Sequence, residues 1–416
     1  MRRTADIVIV GGGITGLTAA LALGRYGIDV VVLEARSLPD TPGDAALTVD
    51  DFDSRVSALT PKSIDFLDRL NAWERIEDLR HCPYSHMTVW DAEGTGEIEF
   101  DAREVSASSL GSIVENRVIV TALARVLEDA RSITAMENTK LAAAKETSED
   151  EPKRFCLALE DGQGGTKSDR KDSALYCDLL IVADGALSPT RKLLAFETRE
   201  WSYEHHAIVT TAEFEHPHRF TAWQRFLQTG PLALLPLADT RAHLCSIVWS
   251  CKEAAANRLL KMDDSHFSAE LTLASERVLG SVKHCSPRLS FPLYQRHAID
   301  YVKPGVALVG DAAHSIHPLA GQGVNLGLAD VEALAEELGV AKERNLDFGS
   351  EALLKRYQRK RKGDNLLMMA AMDGFKRLFE QEAPALRWMR NAGMQSVAAV
   401  PAVKRRIIRQ AMGVGL

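Results

Sequence analysis

The most constraining feature of this sequence is a glycine-rich turn between two apolar segments near its beginning. Residues 6–10 form a short β-branched run of the kind found in buried parallel strands. Helical apolar spacing then runs over residues 17–25, and a second buried-strand pattern covers residues 29–33. The glycines of the intervening turn have the spacing G-x-G-x-x-G: Gly11, Gly13 and Gly16. The segment therefore predicts one β-α-β unit with its glycines at the turn from strand to helix.

The spacing and position of these glycines favour a dinucleotide site. Backbone N–H groups at the start of a helix attract phosphate, and glycine lets a pyrophosphate approach the chain closely. Glu34 ends the second strand, where its carboxylate would accept hydrogen bonds from ribose hydroxyls. The alternative is a glycine-rich turn that binds nothing, which the flanking strands and helix disfavour. The motif alone does not distinguish FAD from NAD.

Two later strand ends carry the chemistry expected around a flavin. Residues 178–183 and 306–309 are apolar runs typical of buried parallel strands. Each run ends at an aspartate that could hold a sugar or ribityl hydroxyl: Asp184, which Gly185 follows, and Asp311. Gly321 and Gly323 precede a helix whose backbone amides would face an electron-rich ring. Each piece alone is an ordinary turn, but together with the glycine turn they favour FAD.

The order of these segments predicts interleaved domains, because the flavin-site pieces lie on both sides of a strand-rich middle section. We expect an α/β fold, in which a Rossmann-like FAD-binding domain is interleaved with a mixed-sheet substrate domain and followed by a helical C-terminal tail. The predicted bounds are 1–80, 105–200 and 295–345 for the FAD-binding domain, 81–104 and 201–294 for the substrate domain, and 346–416 for the helical region. The polar stretch 166–172 has no role that we can assign.

Composition disfavours several other classes of protein. The 416 residues are 46% hydrophobic and 26% charged, as in globular domains, and the formal charge of −7 argues against a general nucleic-acid binder. No apolar run reaches the roughly 18 residues that a membrane span needs. The six cysteines form no C-x-x-C pair, which favours reduced thiols over disulfides or a zinc site. With no export signal visible, we expect a soluble cytoplasmic protein without a metal.

Five further motifs are distributed along the chain: SRVSAL at 54–59, VENR at 114–117, DG at 184–185, GPLA at 230–233 and HPLAGQGVNLGLAD at 317–330. With the glycine turn, they resemble the class A FAD-dependent aromatic hydroxylases, the para-hydroxybenzoate hydroxylase group. Within that group, the sequence is most similar to the ubiquinone-biosynthesis hydroxylases. The segment YEHHA at 203–207 resembles the branch that contains the ring C5-hydroxylase.

The resemblance implies roles for particular residues. Those implied to bind FAD are Gly11, Gly13, Gly16, Glu34, Arg55, Asn116, Asp184, Gly185, Asp311, Pro318, Gly321, Gly323, Val324 and Asn325. The first four would hold the ADP half, and Asp311 the ribityl chain. We assign no catalytic acid or base. The candidates near the expected flavin edge are His314, His317 and Pro318, and for the two histidines we favour a structural role.

The resemblance also implies an activity: hydroxylation of a polyprenyl-phenol ring in ubiquinone biosynthesis through a flavin C4a-hydroperoxide. O2 would be the oxidant, and NAD(P)H or a protein electron donor the reductant, since the chain has only one well-placed G-x-G-x-x-G. The alternatives are a hydroxylase of a small aromatic compound, an isoprenoid reductase and a non-catalytic FAD-binding subunit. Besides the lipophilic phenol, the implied partners are other ubiquinone-biosynthesis proteins and the surface of the inner membrane.

Two regions are candidates for contact with such a substrate or with the membrane that contains it. The middle section supplies candidates for a substrate wall, which a plain sheet core explains about equally well: His205, Trp223, Phe226, Leu235 and Pro236. Residues 404–409 (KRRIIR) form a basic patch in an acidic protein, and apolar Met412 follows. The patch fits contact with anionic lipid, and a solvated helix face is at least as good an interpretation.

Overall fold

The computed structural model describes residues 3–39, 41, 47–94, 96–148, 151, 153–161, 174–315, 323–380 and 384–413. The strands are β1 Arg3–Thr4, β2 Ile7–Val10, β3 Val30–Leu33, β4 Val56–Leu59, β5 Cys82–Tyr84, β6 His86–Asp91, β7 Glu97–Asp101, β8 Gly111–Glu115, β9 Ile133–Met136, β10 Thr139–Glu146, β11 Phe155–Asp161, β12 Leu175–Cys177, β13 Leu179–Val182, β14 Thr198–Phe214, β15 Thr221–Leu227, β16 Gly230–Pro236, β17 Leu244–Lys252, β18 Val282–Cys285, β19 Leu289–Ala298, β20 Val302–Lys303, β21 Val306–Leu308 and β22 His314–Ser315. The helices are α1 Ile14–Gly24, α2 Pro61–Arg69, α3 Trp73–Leu79, α4 Asn116–Glu128, α5 Pro189–Leu193, α6 Glu253–Leu260, α7 Asp264–Ala274, α8 Gly323–Glu343, α9 Glu351–Glu380, α10 Pro384–Ala399 and α11 Pro401–Ala411.

A six-stranded sheet in the order β20-β21-β13-β2-β3-β9 carries the glycine turn. Its five strands from β21 to β9 run parallel, and β20 is antiparallel at one edge. Every residue of β2, β3 and β13 is buried, because helices cover both faces of a parallel sheet. Helix α1 packs against α4 and α8, so the largest apolar core lies around this sheet.

A second, larger sheet has nine strands in the order β22-β19-β14-β17-β16-β15-β6-β7, with β18 beside β14. Its pairings are antiparallel except that β15 runs parallel to β6. Side chains alternate between its two faces, and each face has its own apolar cluster. One face packs against α6 and α7, whereas the other packs against β4, β8 and residues 47–52.

Two small sheets and the C-terminal helices complete the fold. The small sheets have the orders β4-β8-β5 and β1-β12-β11-β10. Helix α9 packs on α8, α10 contacts β7, and α11 contacts residues 102–105. None of the described helices combines the length and apolar character needed to cross a membrane.

The predicted fold class is confirmed: a parallel nucleotide-binding sheet is combined with a mixed sheet and a helical C-terminal region. The strands predicted at 6–10, 29–33, 178–183 and 306–309 are β2, β3, β13 and β21. The predicted domain bounds remain a prediction. Strands β6 and β7 of the nine-stranded sheet lie within 81–104, and its other strands run from Thr198 to Ser315, which is wider than the predicted 201–294 at both ends. The polar stretch 166–172 lies outside the described residues.

Candidate active site

The glycine turn (residues 11–16) joins β2 to α1, and its first and last glycines leave no room for a side chain. Gly11 has φ +110°, and a Cβ there would lie 2.5 Å from the carbonyl oxygen of Ala183. A Cβ on Gly16 would lie 1.9 Å from the carbonyl oxygen of Gly11. No described protein atom lies within 4 Å of the Cβ position of Gly13, so this residue faces open space at the start of α1.

Glu34 lies beside the glycine turn, as its position at the end of β3 predicts. Its Oε2 accepts a hydrogen bond of 2.6 Å from the backbone N–H of Gly12. Its Oε1 accepts one of 3.0 Å from the N–H of Arg36. Each carboxylate oxygen has a second lone pair, so Glu34 can hold the turn and still accept from a ribose hydroxyl.

The end of β13 meets the glycine turn, and Asp184 lies there. Oδ2 of Asp184 accepts a 3.0 Å hydrogen bond from the backbone N–H of Thr190, and Oδ1 accepts from the hydroxyl of Ser188. Its carboxylate therefore organises the start of α5. Gly185 has φ +86°, and no described protein atom lies within 4 Å of its Cβ position.

Arg191 ties the ends of β13 and β21 together. It is buried, and its guanidinium donates to the carbonyl oxygens of Ala312 at 2.8 Å and Ala186 at 3.0 Å. Burial lowers the pKa of Arg191, although this residue stays a cation at any ordinary pH. The segments that carry Asp184 and Asp311 are thereby held side by side.

The start of α1, the end of β21 and the first turns of α8 converge on one threonine. Cβ atoms on Gly310 and Gly327 would each lie 2.9 Å from Oγ1 of Thr15. Gly310 also has φ +58°, a left-handed conformation that favours glycine. The close approach brings Asp311 to the same edge of the sheet as the glycine turn.

Asp311 is exposed at this edge of the sheet. Neighbouring protein atoms displace part of the water around its carboxylate, which raises the pKa of Asp311, and the nearby charges of His314 and Arg55 act in the opposite direction. Oδ1 of Asp311 lies 3.9 Å from the Cβ position of Gly323, the first residue of α8. A carboxylate between a strand end and a helix start can accept hydrogen bonds from a polyol such as a ribityl chain.

Arg55 and Asn116 lie together at the start of β4 and of α4. The N–H of Asn116 donates to the carbonyl oxygen of Arg55 at 2.9 Å, and its Oδ1 accepts from the hydroxyl of Ser57 at 2.6 Å. The guanidinium of Arg55 is exposed and lies 5.8 Å from the centre of the Phe291 ring. Arg55 is thus available to a ligand phosphate, whereas the amide oxygen of Asn116 is engaged with Ser57.

Asn325, two residues into α8, links that helix to β4. Its Nδ2 donates to the carbonyl oxygen of Ala58 at 2.8 Å, and its Oδ1 accepts from the N–H of Thr60 at 3.0 Å. The side chain satisfies two backbone groups where β4 ends and α2 begins. The amide of Asn325 therefore fixes the position of α8 relative to β4.

His314 is buried in a polar network behind Asp311. Its Nε2 lies 2.5 Å from Oδ2 of Asp330, whose other carboxylate oxygen accepts from Nε of Arg361 at 2.9 Å and from Nδ2 of Asn365 at 3.1 Å. Burial acts to raise the pKa of Asp330, but these partners outweigh it and lower the pKa. Oδ2 of Asp330 also accepts from the N–H of Gly310 at 3.1 Å, so the network holds the segment that bears Asp311.

The residues around this sheet edge fit FAD. The glycine turn admits a ligand only at Gly13, a carboxylate ends β3, and the N-terminus of α1 points into the same space. Asp311 follows β21, which pairs with β13, and its Oδ1 lies 3.9 Å from the Cβ position of Gly323 at the start of α8. These donors and acceptors match the diphosphate, the ribose and the ribityl chain of the cofactor. Pro318 and Gly321, also predicted to border the flavin, lie outside the described residues, as does His317.

An apolar cavity of about 190 Å³ lies next to this edge, between the nine-stranded sheet and α11. Its lining is Ala58, Tyr84, Met87, Phe100, Leu110, Ile113, Ala222, Leu235, Ile407, Ile408, Ala411 and Met412. Among these described residues, Tyr84 alone has a polar side-chain group. Burial raises the pKa of Tyr84 to about 12, so its hydroxyl stays neutral near pH 7. Ala58 belongs both to this wall and to the contact with Asn325, so the cavity adjoins the flavin side.

The structure divides the predicted substrate wall between two faces of the sheet. Leu235 lines the cavity. Trp223 and Pro236 lie one residue out of step with the lining residues, and Trp223 packs against the cluster that α6 and α7 cover. The structure does not bring these two side chains to the cavity.

Phe226 and His205 are also outside the cavity lining. Phe226 stacks on Phe379 of α9, with 3.8 Å between ring centroids. His205 is buried in β14, where its Nδ1 lies 2.6 Å from the carbonyl oxygen of Tyr203. A packing role accounts for both side chains in this structure.

Comparison with known proteins identifies the chain. The FAD binding domain family matches residues 4–369. This chain belongs to that family. The flavoprotein is 35% identical to the 3-demethoxyubiquinol 3-hydroxylase of Escherichia coli (strain K12) over 408 residues, which are 98% of each protein. It is 36% identical to a mitochondrial ubiquinone biosynthesis monooxygenase of Xenopus tropicalis over 451 aligned positions, covering 97% of this chain and 92% of that protein.

Solved structures share the fold of the flavoprotein. A p-nitrophenol 4-monooxygenase from Pseudomonas putida DLL-E4 aligns with a TM-score of 0.76 over 99% of both chains, at 18% identity. PqsL from P. aeruginosa, in complex with 2-aminobenzoylacetate, also aligns with a TM-score of 0.76, over 95% of this chain and all of that chain, at 20% identity. At these identities the likeness concerns the fold. The family match and the two relatives at 35% and 36% identity confirm an FAD-dependent aromatic-ring monooxygenase, which uses O2 and a reductant.

Sequence reasoning missed three parts of the site. Tyr84 stands alone among apolar neighbours, and nothing in its local sequence marks it. The partners of Asp330 on α9 are 31 and 35 positions away. The contribution of α11 had a signal, because Lys404, Ile408 and Met412 recur every fourth residue and so share one face of a helix.

Proposed function

We propose that the flavoprotein hydroxylates the ring of a polyprenyl phenol in ubiquinone biosynthesis. The observation that carries the proposal is the apolar cavity beside the flavin side of the molecule. None of its described lining residues is charged. A small aromatic acid would need a cationic partner in the pocket, because a buried carboxylate without one is strongly disfavoured. A neutral phenol with an apolar tail has no such requirement.

The size of the cavity suits a ring better than a whole lipid. A cavity of about 150 Å³ is enough for benzene, so 190 Å³ accommodates a single substituted ring. A polyprenyl tail must therefore extend out of the cavity. The proposal accordingly assigns the ring to the cavity and the tail to an exit along its wall.

In this proposal the chain's own residues bind, orient and shield the reacting groups. FAD, when bound, supplies the oxygen transfer. The apolar lining excludes water and so suppresses side reactions in which the activated oxygen would be lost to solvent before it reaches the ring. The neutral hydroxyl of Tyr84 can exchange hydrogen bonds with a ring hydroxyl and so fix which carbon faces the flavin. Glu34, Arg55 and Asp311 would hold the cofactor.

The ring position, the reductant and the partners are each indicated by a separate feature. The resemblance at 203–207 favours the ring C5 branch, although the name of the E. coli relative gives position 3. The single glycine turn favours a reductant that binds transiently, either NAD(P)H or a protein donor. All six cysteines are free thiols, as in a reducing cytoplasm, and the lipid substrate favours contact with a membrane surface and with other proteins of the pathway.

The direct test uses purified FAD-loaded protein with reductant, O2 and polyprenyl-phenol precursors presented in detergent. We expect mass spectrometry to show a product with one added oxygen atom, and a strain lacking the gene to accumulate the precursor. Oxygen consumption without any product, or unchanged quinone levels in the strain, would contradict the proposal. Double-bond reduction without oxygen uptake would instead indicate an isoprenoid reductase.

A pair of substitutions tests which face of the sheet meets the substrate. Ala222→Leu adds bulk to the cavity, so turnover of the phenol should fall at least about tenfold while FAD content stays unchanged. Trp223→Phe alters the opposite face of the same strand, and turnover should stay close to that of the wild type. The reverse pattern would place the substrate on the face that α6 and α7 cover.

A further inference from the structure

Helix α11 forms one wall of the apolar cavity. Ile408 and Met412 are 2% and 5% exposed and pack with Ala102 and Leu110. At its end, the carbonyl oxygen of Met412 accepts a 3.4 Å hydrogen bond from the N–H of Lys62. The inward side of α11 is thus accounted for by contacts with the rest of the protein.

The outward side of α11 carries an exposed apolar stripe. Val400, Val403 and Ile407 are 45%, 44% and 38% exposed. With Ala411, which is also exposed, they recur every third or fourth residue and lie along one side of the helix. Ile407 belongs to the cavity lining as well, so the apolar wall of the cavity continues onto the surface.

The same helix carries a concentration of positive charge. Residues 401–411 contain four basic side chains and no acidic one, in a chain of net charge −7. Lys404 is engaged, since its Nζ lies 2.6 Å from a carboxylate oxygen of Glu104. Arg405, Arg406 and Arg409 are exposed and form no ion pair with any residue that the structure describes. Apolar and unpaired basic side chains on one exposed helix are typical of segments that lie on anionic lipid.

We propose that α11 docks the flavoprotein on an anionic bilayer surface, with the apolar stripe in the headgroup region and the three arginines beside lipid phosphates. Because Ile407 joins the stripe to the cavity, docking places the cavity mouth at the lipid. The ring of a membrane-dissolved substrate then reaches the cavity while its tail remains in the bilayer. This inference rests on the proposed function for the nature of the substrate, but the docking itself requires no turnover.

The test measures binding of the full FAD-loaded protein to vesicles by co-flotation. Vesicles of phosphatidylcholine mixed with phosphatidylglycerol are compared with vesicles of phosphatidylcholine alone, at low and high salt. We expect binding to the anionic vesicles only, and weaker binding at high salt because the charges are screened. A wild-type protein that does not bind the anionic vesicles overturns the proposal.

Substitutions then assign the binding to α11. The variant R405Q/R406Q/R409Q removes three arginines, each of which should contribute about 1 kcal/mol to binding at an anionic surface. Binding should therefore weaken by roughly 100-fold. The matched control removes the same charge from an exposed region elsewhere, in R131Q/K140Q/K145Q, and should leave binding close to that of the wild type. Equal losses in both variants would show a general charge effect and overturn the assignment to α11.

A second pair of substitutions, one in the apolar stripe and one elsewhere as a control, tests whether the stripe contacts lipid. Val403→Asn should weaken binding severalfold, because it removes apolar area from the lipid contact. Val340→Asn changes a valine of α8 that is 36% exposed and should have no effect on binding. Wild-type binding by the Val403 variant would overturn insertion of the stripe.

Failure of this inference and failure of the proposed function give different results. A protein that hydroxylates detergent-presented precursor but does not bind vesicles retains the function and loses the docking surface. A protein that binds through α11 but hydroxylates no polyprenyl phenol retains the docking surface and loses the function.

Discussion

The glycine turn allows a paired test, because Gly13 and Gly16 are needed for different reasons. A Cβ on Gly16 would lie 1.9 Å from the carbonyl oxygen of Gly11, whereas ordinary contacts begin at 3.4 Å. The two groups must separate by the difference, about 1.5 Å, and forced overpacking of this kind costs about 1–3 kcal/mol. Gly16→Ala should therefore lower the free energy of unfolding of the FAD-free protein by that amount.

Gly13→Ala should lower the stability of the FAD-free protein less than Gly16→Ala does. No described atom lies within 4 Å of the new methyl group, and the φ of −78° is accessible to alanine. Because Gly13 is the N-cap of α1, where glycine is preferred over alanine, the free energy of unfolding should fall by about 1 kcal/mol or less. The methyl group would, however, keep a diphosphate away from the backbone. Loss of one hydrogen bond to a charged oxygen, about 1.5–3 kcal/mol, predicts FAD binding that is about 10- to 100-fold weaker.

The assays are urea unfolding of the FAD-free protein and titration with FAD followed by flavin fluorescence. Gly363→Ala is the control, because nothing described lies within 4 Å of its Cβ position in α9. It should raise stability by up to about 1 kcal/mol and leave FAD affinity unchanged. Wild-type FAD affinity in Gly13→Ala, with normal stability, would refute the assignment of the open side of the turn to the diphosphate.

Three further substitutions probe the supports of the site. Asn325→Ala removes both hydrogen bonds between α8 and β4, and we expect about 1–3 kcal/mol lower stability and weaker FAD binding; unchanged values in unfolding and titration would contradict the linking role. Arg191→Lys removes the planar guanidinium that donates to both Ala186 and Ala312 and so joins the ends of β13 and β21. FAD content after purification should therefore fall. His297 has its pKa lowered to about 4 from 6.5, chiefly by burial. The unfolded chain therefore takes up this proton first, and stability should fall as the pH drops from 6.5 towards 4, by up to about 3 kcal/mol, in urea unfolding across that range. His297→Gln should have a smaller pH dependence, and an unchanged one would contradict the assignment.

The parts of the fold that sequence predicts best are those with short-range causes. Residues close together in the chain determine the turn from β2 to α1, the position of Glu34 and the strand before Asp311. Spacing and periodicity were therefore sufficient to predict these features. The division of the substrate wall was not predictable, because it depends on the register between β15 and β16. A shift of one residue exchanges the two faces of a strand, which is why Leu235 lines the cavity and Trp223 does not.

Contacts between residues far apart in the sequence could be identified only from the structure. Asp330 belongs to a recognisable motif, but its partner Arg361 lies on the next helix, and no periodicity connects them. Asn325 was expected to border the flavin, and the structure shows its amide engaged with β4. Its placement near the cofactor remains a prediction. The role of Tyr84 depends on what surrounds it in space, which its neighbours in sequence do not report.

Residues 58–62, where β4 ends and α2 begins, connect two parts of the molecule. Ala58 and Thr60 bond to Asn325 at the start of α8, and Lys62 bonds to the last turn of α11. One short stretch of backbone is therefore shared by the cofactor side and the lipid-facing wall. The start of α8 and the end of α11 are thus separated by only five residues of a single segment. A substitution in this segment should therefore affect FAD binding and the packing of α11 together.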